Sequence, residues 1–377
     1  MSTEQLVTID TPEESKSTRE FWLPSTDFER VYSWYESRPD FEKVKVEGRD
    51  ARKLSYPNSA IQVWSLTTGE LIEPNLDKSE NMVRHLQMTP DKKWLSSYEV
   101  LAGTFERDQP VVQRLLNLES NEWTTIPEVS ARMVFSNNSQ MIAAYELDES
   151  KRYSKSVVLL EVPSMQKLKT IELPEGVHSG NELQFLEDDE YLMVEYRTYD
   201  RKNVWNKWKT NIVCFDVKSG KELGRYEFPF DNDSPLFADN VMGDTLVMCS
   251  WRHTPKTLSG LSIPGLKPKW TTEVGDYLFV NRPVISPTGE SCALLCHQRN
   301  EGDDQRNDGP TDWDLKLQNE LKIVNGDGEV IETLVLPVGA SSFAYNHTGD
   351  TGAIGAVGSA YLIDFADLVD ATDASKR

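Results

Sequence analysis

A repeated pair of hairpins constrains this chain more than any other feature of its sequence. Residues 60–100 begin AIQVWSLTTGELI and, after a short polar break, continue MVRHLQMTPDKKWLSSYEV. In both runs, apolar and polar residues alternate with the period of two that marks a β-strand. Gly69 in the first run, and Pro90 and Asp91 in the second, are residue types that favour tight turns. The stretch therefore predicts two β-hairpins laid end to end.

Both hairpins return along the chain. Further copies of the first type start at Val111, Val157, Asn211, Thr257 and Leu321, with a half-copy at Tyr361. The turns of the second type lie at Asp91, Asn138, Asp188, Asp244, Gly289 and Gly349, which are 45 to 60 residues apart. A four-stranded propeller blade occupies about 40 to 50 residues. The repeats predict an all-β propeller of four-stranded blades, with seven blades expected and six or eight as alternatives.

The repeats also resemble a known family. The runs IQVWSLTTGELI and IVCFDVKSGKEL are similar to the outer hairpin of WD40-like and YVTN-type propeller repeats. The runs VISPTGESCALL and MTPDKKWLSSY are similar to the inner hairpin of those repeats. The Gly-His and Trp-Asp pairs of typical WD40 repeats are missing. The resemblance covers most of residues 60–365 and implies a propeller scaffold rather than a particular activity.

A single domain is expected over residues 1–377. Within it, we expect an N-terminal closing strand and polar segment (1–20), an irregular first blade (21–60), the repeats (61–365) and an acidic, polar tail (366–377). The closing strand is predicted from the alternation of Leu6, Val7 and Ile9, because the half-copy at Tyr361 lacks an outer strand. The aromatic-rich segment 21–60 is also compatible with a decorated loop or a short helix.

Charge and composition narrow the class of protein. The chain has 61 acidic and 40 basic residues, a net charge of −21, which argues against charge-driven binding to nucleic acid or to an anionic membrane. No apolar run approaches the roughly 18 residues of a membrane helix, and the N-terminus lacks a secretory pattern. The four cysteines show no short paired spacing typical of zinc sites. We expect a cytoplasmic protein that does not bind a membrane.

One segment differs in charge from the rest. The run RTYDRKNVWNKWK (197–209) has five basic residues against one acidic residue, with three aromatic residues interleaved. Such a segment can bind an acidic protein surface or peptide, because Trp and Arg contribute large contacts. The predicted partner-binding residues are Arg201, Lys202, Trp205, Lys207 and Trp208. The alternative is a solvated loop whose tryptophans cover the neighbouring blade.

Other candidate sites have weaker support. Cys292 and Cys296 lie four residues apart on a predicted strand, too far apart for one zinc ion without a bend, so all four cysteines are interpreted as small buried hydrophobes. The carboxylates of segment 298–316 do not have the spacing of a calcium loop and predict a mobile acidic loop. Phosphate-binding glycine motifs and a GxSxG elbow are absent. The sequence therefore predicts no catalytic residue, cofactor site or metal site.

The leading functional prediction is a non-catalytic interaction scaffold that binds a protein through the loop face of the propeller. The first alternative is a propeller enzyme, hydrolase- or lactonase-like, with a small molecule or metal at the central channel. The second alternative is an RNA-binding propeller that uses the same basic and aromatic loop.

Overall fold

A computed structural model provides the structure. It describes residues 4–5, 19–24, 30–36, 40–46, 49–55, 61–65, 70–73, 76, 81–105, 111–126, 133–147, 154–199, 207–277, 279–297, 319–336, 340–346, 348–349, 351–356 and 359–365. Every regular element in these ranges is a β-strand. The described part of the chain has no helix long and apolar enough to cross a membrane.

Thirty-two strands are described. The first sixteen are β1 (Glu4–Gln5), β2 (Arg19–Pro24), β3 (Arg30–Glu36), β4 (Asp40–Val46), β5 (Arg49–Ser55), β6 (Ile61–Ser65), β7 (Leu71–Glu73), β8 (Met82–Met88), β9 (Trp94–Val100), β10 (Gly103–Phe105), β11 (Val111–Asn117), β12 (Trp123–Thr125), β13 (Met133–Phe135), β14 (Met141–Leu147), β15 (Ser154–Glu161) and β16 (Lys167–Glu172). The others are β17 (His178–Leu186), β18 (Tyr191–Tyr199), β19 (Trp208–Asp216), β20 (Glu222–Glu227), β21 (Pro235–Met242), β22 (Thr245–Ser250), β23 (Lys256–Ser262), β24 (Pro268–Gly275), β25 (Phe279–Val280), β26 (Val284–Ile285), β27 (Ser291–His297), β28 (Glu320–Asn325), β29 (Val330–Val335), β30 (Ala340–Tyr345), β31 (Thr351–Ala356) and β32 (Ser359–Asp364).

The chain divides into two compact units. Unit 1 comprises Met1–Thr8, Arg152–Ser154 and Pro174–Arg377, and unit 2 comprises Ile9–Lys151 and Lys155–Leu173. The prediction of a single domain stays a prediction.

The described strands form antiparallel sheets in both units. Unit 2 contains sheets with the strand orders β2-β3-β6-β7, β12-β11-β9-β8 and β13-β14-β15-β16, and a three-stranded sheet β10-β5-β4. Unit 1 contains β17-β18-β19-β20, β21-β22-β23-β24, β25-β27-β28-β29 with β26 also paired to β27, and β1-β32-β31-β30. The predicted all-β architecture of four-stranded sheets is confirmed, and the blade number of seven stays a prediction.

The hairpin turns form as the sequence indicates. Asp91 Oδ1 accepts hydrogen bonds from Thr89 Oγ1 at 2.7 Å and from the Lys93 N–H at 3.1 Å. Two of the predicted turns contain Gly289 and Gly349, whose φ values of 72° and 80° lie in the left-handed region that glycine adopts without a steric penalty. Local turn chemistry therefore fixes the connections within each sheet.

Segment 21–60 consists of regular strands where the structure describes it. The segment 21–60 holds neither a helix nor an extended loop in its described part. Strands β2 and β3 pair with each other, and Trp34 of β3 pairs with Ile61 of β6. Together with β6 and β7 they form one four-stranded sheet, and the assignment of 21–60 to an irregular first blade stays a prediction. Strands β4 and β5 then form a hairpin that β10 extends.

The predicted N-terminal closing strand is present, slightly earlier than expected. Glu4 and Gln5 pair with Leu362 and Tyr361, so β1 is the fourth strand of the sheet built from β30 to β32. Leu6, Val7 and Ile9, which led to the prediction, lie outside the described residues.

Unit 2 contains a buried ion pair between two strands of one sheet. Glu99 on β9 is fully buried, and Arg114 on β11 donates hydrogen bonds to both of its carboxylate oxygens at 2.6 Å. Asn81 and Ser97 donate to the same carboxylate, and the Arg114 guanidinium lies 4.3 Å from the ring centroid of Trp123. The buried charge of Glu99 is therefore compensated only while Arg114 stays in place.

Replacing Arg114 with Met should lower the free energy of unfolding by about 3–5 kcal/mol, because the Glu99 carboxylate then stays buried without its cation. The double variant Glu99→Leu with Arg114→Met should recover much of that loss, since no charge remains buried. The measurement is chemical denaturation at neutral pH.

The matched control is Lys167→Met in the same unit. Lys167 pairs with Glu146 at 2.9 Å, but its side chain is half exposed, so the expected change is within about 0–1 kcal/mol. Equal losses for Arg114→Met and Lys167→Met would contradict a special role for the buried pair.

Candidate functional site

The first strands of neighbouring sheets in unit 1 share an interruption of their pairing. The register of β17 shifts between Ser179 and Leu183, and that of β21 shifts between Phe237 and Val241. In the next sheet the break is complete, since β25 and β26 pair separately with β27. Such irregularities redirect side chains and occur often beside active sites.

A close backbone approach explains the residue at the first of these breaks. A Cβ atom added to Gly180 would lie 2.2 Å from the carbonyl oxygen of Glu195 on β18. Only glycine fits this position without moving the backbone. Gly180 thus allows β17 to bulge directly against β18, two residues before Glu182.

Main-chain and side-chain contacts join the three interrupted strands. Gln184 Nε2 donates to the Ala238 carbonyl at 3.1 Å, the Ile285 N–H donates to Asp239 Oδ1 at 2.9 Å, and Arg282 Nη2 lies 2.5 Å from Glu182 Oε1. The contacts link β17 to β21, β21 to β26, and β17 to the segment between β25 and β26. They bring two carboxylates and one guanidinium together, and we call Glu182, Asp239 and Arg282 the bulge cluster.

Asp239 is the member of the bulge cluster whose pKa is raised. The residue is exposed to solvent, yet the protein atoms around it desolvate its carboxylate and raise its pKa above the ordinary value of 3.8. The hydrogen bond from the Ile285 N–H and the charge of Arg282 act in the opposite direction and lower the pKa. An accessible carboxyl with a raised pKa is a stronger base than an ordinary aspartate and is suited to transfer protons.

The other two members form an ion pair of unequal exposure. The Glu182 side chain is 15% exposed and that of Arg282 is 46% exposed. Glu182 therefore holds one edge of the guanidinium from the protein side, while part of Arg282 still faces solvent. A fixed guanidinium of this kind can contact an anionic or strongly polar group of a ligand.

A buried histidine supports the segment that carries Arg282. His297, at the end of β27, is 6% exposed, and its Nε2 lies 3.2 Å from Oδ1 of Asn281. Burial lowers the pKa of His297 to about 4, so the ring is neutral at physiological pH. The Asn281 N–H also donates to the Leu295 carbonyl at 2.9 Å.

The residues predicted to bind a partner are only partly described. Arg201, Lys202 and Trp205 lie outside the described residues, whereas Lys207 and Trp208 lie within them. Lys207 Nζ lies 3.4 Å from Asp231 Oδ2. The Trp208 N–H donates to Asn232 Oδ1 at 2.9 Å.

Two further contacts reduce the free charge of this segment. Lys209 pairs with the same Asp231 at 2.8 Å, and the guanidinium of Arg197 lies 4.4 Å from the ring centroid of Trp208. The described basic groups of this segment thus have ion-pair or stacking partners close by in the chain fold. The partner-binding role stays a prediction.

The cysteines are buried and free, as the sequence indicated. All four lie in the core, and Cys249, Cys292 and Cys296 share one apolar cluster. Burial raises the pKa of the Cys292 and Cys296 thiols to about 12, which keeps them protonated and poorly nucleophilic. Among the described residues, no group of three His, Cys, Asp or Glu side chains could hold a metal ion. The acidic segment 298–316 lies outside the described residues.

Comparisons with known proteins identify the fold without assigning a family. No protein-family model matches the chain, and no curated protein matches it, so the WD40-like resemblance is confirmed only at the level of a propeller. An oligogalacturonate lyase solved in complex with manganese aligns with a TM-score of 0.52 and 9% identity over 88% of this chain and 82% of its own.

Two other solved structures align with lower TM-scores. The hydrazine synthase of Kuenenia stuttgartiensis has a TM-score of 0.48 and 15% identity, covering 76% of this chain and 77% of its own. An oligogalacturonate lyase of Vibrio parahaemolyticus has a TM-score of 0.48 and 11% identity, covering 84% and 77%.

The leading functional prediction, a non-catalytic scaffold, is wrong. A solved structure that shares this fold over most of the chain, the oligogalacturonate lyase, is named as an enzyme, and this finding contradicts the scaffold prediction. The prediction rested on one basic and aromatic loop, whereas Asp239, whose pKa is raised, lies on an interrupted first strand of unit 1.

The buried His297 should make stability depend on pH. Below the ordinary histidine pKa of 6.5, the unfolded chain binds a proton at this position, whereas the folded protein does not until about pH 4. The stabilisation is therefore complete above pH 6.5 and is lost as the pH falls from 6.5 to 4, by about 3 kcal/mol.

The measurement compares the free energy of unfolding of the wild type with that of His297→Gln from pH 7 to pH 4. The difference between the two proteins should shrink or reverse in sign across this window, because glutamine does not titrate. A constant difference at every pH would contradict the buried neutral histidine.

Proposed function

We propose that this protein is a β-propeller enzyme whose site is the bulge cluster of unit 1. It takes a small polar substrate, and the reaction proceeds by proton transfer to or from Asp239. The proposal rests chiefly on the convergence of three interrupted first strands on one accessible, desolvated carboxyl beside a fixed guanidinium.

Asp239 is the general acid–base of the proposed reaction. Desolvation raises its pKa, which keeps its conjugate base more basic than an ordinary aspartate. The Ile285 N–H donates to Oδ1, and the backbone N–H groups of Asp239 and Asn240 also donate to this carboxylate, so its orientation is fixed. Fixing the carboxylate in this way reduces the reorganisation that proton transfer requires.

Arg282 stabilises negative charge on the substrate. Its guanidinium is held by Glu182 at one nitrogen, and a guanidinium offers five N–H donors in a rigid plane. Charge that develops beside it, on an oxygen losing a proton or a bond, is stabilised without movement of the side chain.

Gln184 provides a hydrogen-bond acceptor near this site. Its Nε2 donates to the Ala238 carbonyl, which fixes the amide orientation. Its Oε1 is buried and has no donor among the described residues. Buried acceptors usually have a partner, and a hydroxyl group of a polar substrate has the matching chemistry.

The aligned lyase guides the choice of substrates but not of metal. Its printed name gives oligogalacturonate as the substrate and manganese as a bound ion, and oligogalacturonates are therefore among the substrates to test. The described residues of this chain do not provide a metal-binding cluster, so no step through a metal is derived.

The first test is an activity screen with the Asp239→Asn variant. Purified protein is incubated with oligogalacturonates, lactones and small esters, and products are followed by mass spectrometry. We expect turnover of at least one substrate by the wild type and a loss of about 10²- to 10⁴-fold in Asp239→Asn, because the amide cannot exchange the proton.

Asp231→Asn is the matched control. Asp231 is an exposed aspartate that pairs with Lys209, and its variant should keep wild-type turnover. Absence of turnover of every substrate, or full activity of Asp239→Asn, would refute the proposal.

A second test needs no substrate. With ¹³C-labelled aspartate carboxyl groups, an NMR titration should place the pKa of Asp239 above 3.8, with the signal assigned by its loss in Asp239→Asn. In Arg282→Gln that pKa should rise further, because the cation that lowers it is removed.

Asp231 serves as the internal reference in the same spectra. The hydrogen bond from Lys209 lowers its pKa below the ordinary value, and Arg282→Gln should leave it unchanged. An Asp239 that titrates at or below 3.8, or that does not respond to Arg282→Gln, would contradict the electrostatics of the site.

Other expectations stay predictions. They are the cytoplasmic location, binding of a protein partner with an acidic surface through Arg201, Lys202, Trp205, Lys207 and Trp208, and the low affinity for nucleic acid.

A further inference from the structure

Arg282 of the bulge cluster lies where the strand ladder of its sheet is interrupted. The three residues 281–283, between β25 and β26, stand opposite only two residues of β27, which are 294 and 295. The ladder pairs on either side are Val280 with Cys296 and Val284 with Ala293. One extra residue on one strand forms a bulge and leaves that residue outside the regular pairing. The position of Arg282 therefore depends on how its two neighbours in the chain are held.

Asn281, the residue before Arg282, is bound to β27 by two hydrogen bonds. Its backbone N–H donates to the Leu295 carbonyl at 2.9 Å, and its side-chain Oδ1 lies 3.2 Å from Nε2 of His297. An amide oxygen only accepts hydrogen bonds, so the neutral ring of His297 carries its proton on Nε2 and donates it. The ring is buried, which shields this bond from competing water. Both the backbone and the side chain of Asn281 are thereby fixed to β27.

Pro283, the residue after Arg282, is bound to the neighbouring sheet. Its carbonyl accepts the backbone N–H of Asp239 at 3.3 Å, and its ring restricts the backbone angle φ of this residue. Arg282 thus lies between one residue that its own sheet holds and one that the backbone of Asp239 holds. The two anchors together set the distance between the guanidinium and the Asp239 carboxylate.

We propose that His297 is a positioning residue of the bulge cluster, which keeps Arg282 beside Asp239 by holding Asn281. The role rests on the proposed function, because Asp239 is the group that transfers the proton there. His297 acts through Asn281 and then through Arg282, so the role requires no contact between its ring and the reacting carboxyl. A Coulomb interaction weakens as two charges separate, so a displaced guanidinium stabilises the Asp239 carboxylate less.

The first test measures the position of Arg282 through the titration of Asp239. The charge of Arg282 lowers the pKa of Asp239, so this pKa rises when the guanidinium moves away. His297→Leu removes the donor and keeps an apolar side chain in the buried position, and the pKa of Asp239 should rise, though no further than in Arg282→Gln. In His297→Gln an amide N–H can replace the ring N–H, and the pKa should return towards the wild-type value. The ¹³C NMR titration of labelled aspartate carboxyl groups measures each value.

A double variant tests whether His297 acts through Arg282. The combination of Arg282→Gln with His297→Leu should give the same Asp239 pKa as Arg282→Gln alone, because no guanidinium remains to be positioned. A further rise in the double variant would show that His297 acts on Asp239 by another route. That result, or an unchanged Asp239 pKa in His297→Leu, would overturn the proposal.

A second variant breaks the same hydrogen bond from its accepting side. Asn281→Ala removes the side-chain acceptor, keeps the backbone bond to Leu295 and leaves the buried ring of His297 unchanged. It should raise the pKa of Asp239 as His297→Leu does, and it decides the question if His297→Leu does not fold. A wild-type Asp239 pKa in Asn281→Ala would contradict the positioning role.

Asn319→Leu is the matched control for the loss of a buried hydrogen bond nearby. Asn319 is buried, and its Nδ2 donates to the Ala340 carbonyl at 2.6 Å, so this bond leads to β30 rather than to the bulge cluster. The variant should lower the free energy of unfolding and leave the pKa of Asp239 unchanged. An Asp239 pKa raised as much as in His297→Leu would indicate a general loss of packing and would refute the specific role of His297.

The same measurements separate this inference from the proposed function. Full activity of Asp239→Asn, together with the expected pKa changes in His297→Leu and Asn281→Ala, would refute the catalytic proposal and support the positioning role. Loss of activity in Asp239→Asn, together with a wild-type Asp239 pKa in both of those variants, would support the catalytic proposal and overturn the positioning role.

Discussion

Apolar packing between neighbouring sheets is the interaction on which the rest of unit 1 depends. Each of its clusters combines side chains from two sheets. One joins Met193 and Ile212 to Phe237 and Leu246, and the following clusters repeat the arrangement with the next pairs of sheets. Central strands such as β18 are therefore covered on both faces. Polar residues are fewer there, although Glu195 on β18 and Asn211 on β19 are buried within regularly paired strands.

The interruptions consequently hold the charged groups of the candidate site. Gly180 lets β17 approach the backbone of β18, and Asp239 lies within the shifted register of β21. In a regular strand, alternate residues would be directed into the apolar packing, where a lone carboxylate is costly. The bulge lets Asp239 stay accessible, while the surrounding protein still desolvates it enough to raise its pKa.

Buried polar groups elsewhere are compensated rather than reactive. The Asp233 carboxylate, 2% exposed, accepts hydrogen bonds from the N–H groups of Ser234, Arg252 and His253. The charge of the Glu99 carboxylate is compensated by the Arg114 guanidinium. The contrast with Asp239 is that these carboxylates are closed to solvent. Accessibility together with desolvation, rather than burial alone, distinguishes the candidate site from the structural networks.

The sequence by itself determined the strands, their hairpin turns and the all-β class, because alternation and residues such as Asp91 and Gly289 act over a few positions. Tertiary structure decided which charges remain available. Lys207 and Lys209 are predicted from sequence to be a free basic patch, but both pair with Asp231, more than twenty residues away, and Lys209 also lies 3.8 Å from Glu227. Likewise, Glu182 and Arg282 are one hundred residues apart and meet only through the packing of sheets. Local propensity specifies backbone conformation, whereas the pKa and pairing of a charged group depend on neighbours that only the folded chain brings together.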